Sequence, residues 1–137
     1  MSFQYLAAPF VGWLVADLSK MFVRGLTQRT WKFEALSYGG CPSSHTTVCV
    51  TTATLIGWQE GWNSPLYSLA LAVTILFVID AVKLRRWVGE QAAALNSLRD
   101  RHPDWPQFRE RVGHTPVDIA AGVALGSICG TLLHWSV

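Results

Sequence analysis

Charged residues are distributed along this chain in blocks, and the gaps between the blocks are long and apolar. No Asp, Glu, Lys or Arg occurs from Met1 to Ala16, from Gly61 to Ile79 or from Ile119 to Val137. Each run approaches the roughly 20 apolar residues that carry a helix across a bilayer core. A fourth uncharged stretch, Ala35 to Gln59, holds a shorter apolar segment, Thr46 to Gly57, which needs its polar flanks to complete a crossing. The pattern predicts helices from Phe3 to about Leu26, from Pro42 to about Trp58, from Pro65 through Ile79 to Arg86, and from near His114-Thr115-Pro116 to the C-terminus. Gln59 to Pro65 reads as a turn, with Gly61 as a stop and Pro65 as a start residue. Gly89 to Arg111 is polar, with Leu95, Leu98, Trp105 and Phe108 interspersed, and reads as an interfacial helix and loop. The expected fold is all-α: a single integral membrane domain over residues 1–137, with about four transmembrane helices and one interfacial segment.

Composition supports this picture and charge orients it. Half of the 137 residues are hydrophobic and 15% are charged, more apolar than a typical soluble domain, although a soluble helical bundle is the competing reading. Four alternating spans put all eleven basic residues on one side: Lys20, Arg24, Arg29, Lys32, Lys83, Arg85, Arg86, Arg99, Arg101, Arg109 and Arg111. The Gln59–Pro65 turn on the other side carries only Glu60. The excess of Lys and Arg marks the crowded side as cytoplasmic and predicts a bacterial inner-membrane protein with both termini outside. Trp31, Trp87 and Trp105 on that side, and Trp58, Trp62 and Trp135 on the other, fit two interfacial belts as well as plain packing positions. The apolar N-terminus lacks a basic n-region, so no cleavable signal is expected. A net charge of +2 gives no pointer to a nucleic-acid partner. The three cysteines, Cys41, Cys49 and Cys129, have no metal-ligand spacing and read as small packing residues, so neither a metal nor a cofactor is expected.

The same alternation gathers the chemically interesting residues at one depth. In Gly39-Gly40-Cys41-Pro42-Ser43-Ser44-His45, the glycines free the backbone and Pro42 suits the opening of a helix whose first turn carries Ser43, Ser44 and His45. Helix-start amides, two hydroxyls and an imidazole make a phosphate cradle, while the plain alternative is a loop followed by a serine cap. His114 and Asp118 lie four apart at a helix start, so the carboxylate can reach the ring, fix its tautomer and leave the other nitrogen free. The alternatives are a helix-dipole acid and a solvated histidine. Gly122, Gly126 and Gly130 continue that face as a small-residue stripe admitting a close helix neighbour. Asp80 ends a long uncharged run and needs a partner, with Lys83 one turn away and Arg85 and Arg86 close behind. The two arginines suit phosphate oxygens or, more simply, anionic lipid at the interface. Lys20 reaches the same level.

These residues carry a resemblance. Pro42-Ser43-Ser44-His45 resembles the Pro-Ser-Gly-His motif, and His114-x-x-x-Asp118 the closing His-x3-Asp motif, of the type 2 phosphatidic acid phosphatase superfamily, to which vanadium haloperoxidases are related. The likeness is closer to its divergent bacterial and plastid branch. The matching segments run from Gly39 to His45, Asp80-Ala81-Val82-Lys83-Leu84-Arg85-Arg86, Gly89-Glu90-Gln91-Ala92, Leu95-Asn96 and Gly113-His114-Thr115-Pro116. The resemblance implies a metal-independent phosphomonoesterase acting on a membrane lipid, with phosphatidylglycerophosphate, phosphatidate or a polyprenyl phosphate as substrate. By that analogy His114 attacks phosphorus to give a phosphohistidine, Asp118 orients it, and His45 protonates the leaving oxygen and later activates water. Lys20, Ser43, Ser44, Asp80, Arg85 and Arg86 then form the substrate-binding group. Two imidazoles with opposite proton duties predict a bell-shaped pH profile. The chain departs from the family pattern at four places. No Lys-x6-Arg-Pro follows Lys20, Phe108 stands where an arginine precedes the nucleophile, and Cys41 and Lys83 replace the branch methionine and glycine. Competing readings are a non-enzymatic lipid-phosphate binding or translocating protein and a helical scaffold. A homodimer through the glycine face is a further expectation.

Overall fold

A computed structural model describes residues 3–28, 40–102, 104–110 and 112–136; Arg29, Trp31, Lys32, Gly39 and Arg111 lie outside the described residues. These form α1 (Phe3–Gln28), α2 (Ser44–Glu60), α3 (Pro65–Ile79), a π-helical turn (Asp80–Leu84), α4 (Arg85–Ser97), a short 3₁₀ turn (Arg99–Arg101) and α5 (Pro116–Trp135). No strand occurs among the described residues.

Local chemistry sets the helix boundaries. Ser64 caps α3 by accepting from the Tyr67 amide at 3.1 Å, and Pro65 occupies the first turn, where no amide hydrogen is needed. Thr115 and Asp118 close a reciprocal capping box on α5. Gly61, at φ 93°, lets the chain leave α2 in a conformation that a side chain disfavours. α2 starts at Ser44 rather than at Pro42, because Ser43 takes the cap position and its hydroxyl accepts from Thr46 N. The expected break at Gly89 is absent, and the helix runs on to Ser97. Gly89 is a packing site instead: a Cβ there would lie 2.2 Å from the Glu110 carbonyl oxygen.

Among the described residues, three helices are long and apolar enough to cross a membrane: Phe3–Leu26, Pro65–Ser97 and Pro116–Trp135. They wrap α2, which packs against α1, α3 and α5. The arrangement is inside out relative to a soluble protein. Phe10, Leu14, Leu69, Leu76 and Leu132 face outward, while Thr46, Thr47 and Thr51 of α2 are buried. So wide an apolar exterior fits hydrocarbon surroundings, and the chain is a helical membrane bundle. The buried hydroxyls are satisfied within the helix, Thr47 donating to Ser43 O at 2.9 Å and Thr51 to Thr47 O at 2.8 Å.

The α2–α5 seam depends on the glycine stripe. A Cβ at Gly122, Gly126 or Gly130 would lie 2.9, 2.8 or 2.6 Å from the carbonyl oxygen of Ser43, Thr47 or Thr51. Each glycine meets a backbone that tolerates nothing larger. α2 occupies this stripe within the chain, so a homodimer would need a surface other than the one the sequence reading assigned to it.

Consecutive helices alternate in direction, so α2 and α5 run parallel, with Gly122, Gly126 and Gly130 meeting Ser43, Thr47 and Thr51 in the same order, and two polar ends result. At one end Tyr5 donates to Glu60, Gln59 to Gln4, and Trp58 Nε1 to Thr131 Oγ1 at 3.1 Å. At the other end Lys20, Ser44, His45, Arg85 and His114 converge, together with the described cations Lys83 and Arg86.

Candidate active site

Five elements supply one cavity of about 410 Å³. Trp13, Asp17 and Lys20 enter from α1, Ser44, His45, Val48 and Cys49 from α2, Phe77 from α3, Arg85 from α4, and His114 from the turn before α5. The two imidazole rings lie 6.2 Å apart, centre to centre, tilted by 60°. Residues 69 positions apart thus meet over one space because the α2–α5 seam is so close.

His114 is held from its backbone. Its amide donates to Ala81 O at 3.3 Å, and Gly113 precedes it at φ 114°, where a Cβ would sit 3.1 Å from that same carbonyl. The segment leading to it is fastened to α4. Asn96 Nδ2 donates to Phe108 O at 2.7 Å and to Glu110 Oε1 at 2.9 Å, while the Phe108 amide donates to Asn96 Oδ1 at 2.9 Å. Gly89 and Asn96, matched in the sequence but given no role there, therefore aim the histidine-bearing segment. The His114 side chain is only 5% exposed, and its Nδ1 is buried without a hydrogen-bond partner, 3.9 Å from Asp118 Oδ2. That carboxylate oxygen accepts from the Thr115 amide at 2.8 Å, so Asp118 serves as helix cap and as neighbour of the ring together. Burial pushes the His114 imidazole below the ordinary histidine range; Asp118 opposes this, whereas Lys20, His45 and Arg85 add to it. The ring is therefore neutral near neutral pH, with Nε2 as the nitrogen left for chemistry.

Arg85 depends on an irregularity in its helix. Its amide donates to Asp80 O across the π-helical turn, an i to i+5 bond that brings positions 80 and 85 onto one face. Asp80 Oδ2 then meets Arg85 Nε at 3.3 Å, and Arg85 Nη2 stands 3.4 Å from His45 Nε2. The partner of Asp80 is Arg85 and not Lys83, because the inserted residue turns Lys83 off that face. Lys20, 5% exposed, is compensated by Asp17 at 3.4 Å and donates to Ser44 Oγ, which itself donates to Asp17 Oδ1 at 2.8 Å. Each cation thus comes with a carboxylate that fixes its direction while leaving donors for an incoming anion.

The remaining expected residues lie apart. Ser43 is fully buried, its hydroxyl accepting from Thr46 N and Thr46 Oγ1 and its amide donating to Asp118 O at 2.9 Å. It joins α2 to α5 and does not line the cavity. The amides of Thr46 and Thr47 are likewise engaged, the first with the Ser43 hydroxyl and the second with the Ser43 carbonyl. Arg86 pairs with exposed Glu90 at 3.0 Å and lines a separate cavity of about 550 Å³, with Arg109, on the other side of His114. Asp17, Trp13, Phe77 and Cys49 were not foreseen; for Asp17 the i, i+3 spacing to Lys20 was the available signal. No cluster of three or more His, Cys, Asp or Glu side chains suited to a metal occurs among the described residues.

Known proteins bear on this geometry. A family described as "Divergent PAP2 family" matches residues 1–129. The chain is also 28% identical over 115 residues to "Uncharacterized membrane protein YuiD" of Bacillus subtilis (strain 168), an alignment covering 72% of this chain and 73% of that one. No solved structure matches.

Proposed function

Because this chain belongs to the divergent PAP2 family, we propose that it is a lipid-phosphate phosphatase hydrolysing a phosphate monoester such as phosphatidylglycerophosphate or phosphatidate. The observation that carries this reading is the pair of imidazoles, His45 and His114, 6.2 Å apart over a cavity that also holds Lys20, Ser44 and Arg85. His114 Nε2 attacks phosphorus, forming an N–P bond as the bond to the lipid oxygen breaks. His45, protonated, gives its proton to the departing alkoxide. Water then attacks the phosphohistidine, its proton passes to His45, and inorganic phosphate leaves. Lys20, Ser44 and Arg85 hold the nonbridging oxygens as charge moves, which is the main demand of phosphoryl transfer. Asp118 stabilises the imidazolium from the Nδ1 side.

The basic end of the bundle faces the cytoplasm, and the protein resides in a bacterial inner membrane, so the substrate is one made or presented on the inner leaflet. The test is phosphate release from lipid monophosphates by the purified protein in chelator, with a phosphohistidine trapped by rapid acid-free quench. Activity retained in His114→Ala would refute the assignment.

A second reading, lipid-phosphate binding without turnover, is favoured by Phe108 standing in place of the family arginine and by Ser43 being buried in a cap. Binding of lipid monophosphates with neither phosphate release nor a phosphohistidine would establish it in place of the hydrolase.

A further inference from the structure

Beside the cavity that holds the two imidazoles lies a second one. Val48 and Cys49 line both the imidazole cavity and this second one, an apolar groove of about 330 Å³ between α2 and α3. Thr52 and Ile56 extend its wall along α2, and Ala70 and Thr74 line it from α3. Its two threonines offer no hydroxyl hydrogen to a ligand. Thr52 Oγ1 donates to Val48 O at 3.0 Å and Thr74 Oγ1 to Ala70 O at 2.8 Å, each within its own helix. What these side chains present to the groove is hydrocarbon. From Val48 to Ile56 the α2 wall extends about 12 Å at 1.5 Å per residue, leading away from the basic end and toward the bilayer interior.

We propose that this groove holds one hydrocarbon chain of the lipid whose phosphate lies between His45 and His114. The inference rests on the phosphatase reading and adds to it the route of the substrate's tail. A groove facing lipid fills with hydrocarbon in any case. The wall shared at Val48 and Cys49 favours the chain tethered to the bound phosphate, because its local concentration far exceeds that of any free neighbour. A charged pocket adjoining an uncharged groove also matches the two ends of a lipid phosphate better than it matches a water-soluble phosphate ester.

The chain length of the substrate is the ruler. With butyl, octyl, dodecyl and hexadecyl phosphates and protein in lipid nanodiscs, kcat/KM rises by up to about fourfold per methylene and levels off once the tail outruns the groove. Ala70→Trp, midway along the groove, moves that levelling point to shorter tails, and Ala70→Leu moves it less. Leu76→Trp, on the lipid-facing side of α3, keeps the wild-type dependence. A levelling point unmoved by both Ala70 variants, or moved equally by Leu76→Trp, overturns the proposal. Alkylation of Cys49 by N-ethylmaleimide, read by peptide mass spectrometry on the wild-type protein, is the readout that needs no turnover. Dodecyl phosphate protects Cys49 more than butyl phosphate does if the tail lies in the groove. If no member of the series releases phosphate, the hydrolase reading fails; equal protection by the two then overturns the groove assignment separately.

Discussion

Replacing glycines of the α2–α5 seam by alanine separates what holds the bundle together from what aligns its chemistry. Ordinary contact begins near 3.4 Å, whereas a Cβ at Gly122 would stand 2.9 Å from Ser43 O and one at Gly130 2.6 Å from Thr51 O. The helices must therefore part by about half an ångström at the first position and about 0.8 Å at the second. Overpacking of this kind costs about 1–3 kcal/mol, offset by about 1 kcal/mol of better helix propensity for alanine. Gly130→Ala is expected to lose about 2 kcal/mol and Gly122→Ala about 1 kcal/mol. Activity should rank the other way. Ser43, which Gly122→Ala displaces, adjoins Ser44 and His45, while Gly130 lies about 12 Å farther along α5 at 1.5 Å per residue. A shift of 1 Å at reacting groups can cost about a hundredfold, so half that shift predicts roughly a tenfold loss of kcat in Gly122→Ala. Gly130→Ala should lose less than about threefold at a temperature where it is folded. The measurements are unfolding in mild detergent and phosphate release at substrate saturation. If kcat falls in the same order as stability, the seam is packing alone and its link to imidazole alignment is wrong.

Other substitutions and conditions test the remaining contacts. Arg85→Ala should lower kcat/KM by about a hundredfold or more, as removal of one oxyanion donor does, and Arg85→Lys should restore little because a point charge cannot reach both His45 and the carboxylate of Asp80; near-wild-type turnover in Arg85→Ala would remove this residue from the site. Burial lowers the His114 pKa, and the neutral ring is the nucleophile, so the acidic limb of the kcat/KM profile should fall below the ordinary histidine value of about 6.5. A limb centred above that value contradicts the assignment. Asn96→Ala removes both hydrogen bonds with the Phe108 backbone, and amide exchange should quicken across residues 108–112, with about 1 kcal/mol lost per bond. Unchanged exchange there would show that the clasp does not hold the histidine segment.

Much of this molecule could be read before its coordinates, and the reasons differ by element. The spans follow from uncharged runs long enough to cross a bilayer core, and the meeting of His45 with His114 follows from counting alternating crossings. Periodicity along one helix could not reveal partners across helices. The glycine stripe was visible, but only packing showed that α2 fills it. The π-helical turn left no clear mark in sequence beyond an Asp stranded at the end of an apolar run, and it decided that Arg85, not Lys83, answers Asp80. Ser43 reads as a ligand because a helix opened by Pro42 carries it on the first turn with Ser44 and His45; in space the cap claims it.

α2 has a consequence for how the protein is made. Its threonine face is shielded by the last helix of the chain, and Asp118 of that helix receives the Ser43 amide. During synthesis, then, the second helix waits at the membrane with its close-packing face uncovered and the Ser43 amide without its acceptor until α5 is inserted, and that arrival brings the two histidines together. A nascent chain halted before Pro116 would lack the glycine face that covers α2 and the Asp118 carbonyl that takes the Ser43 amide.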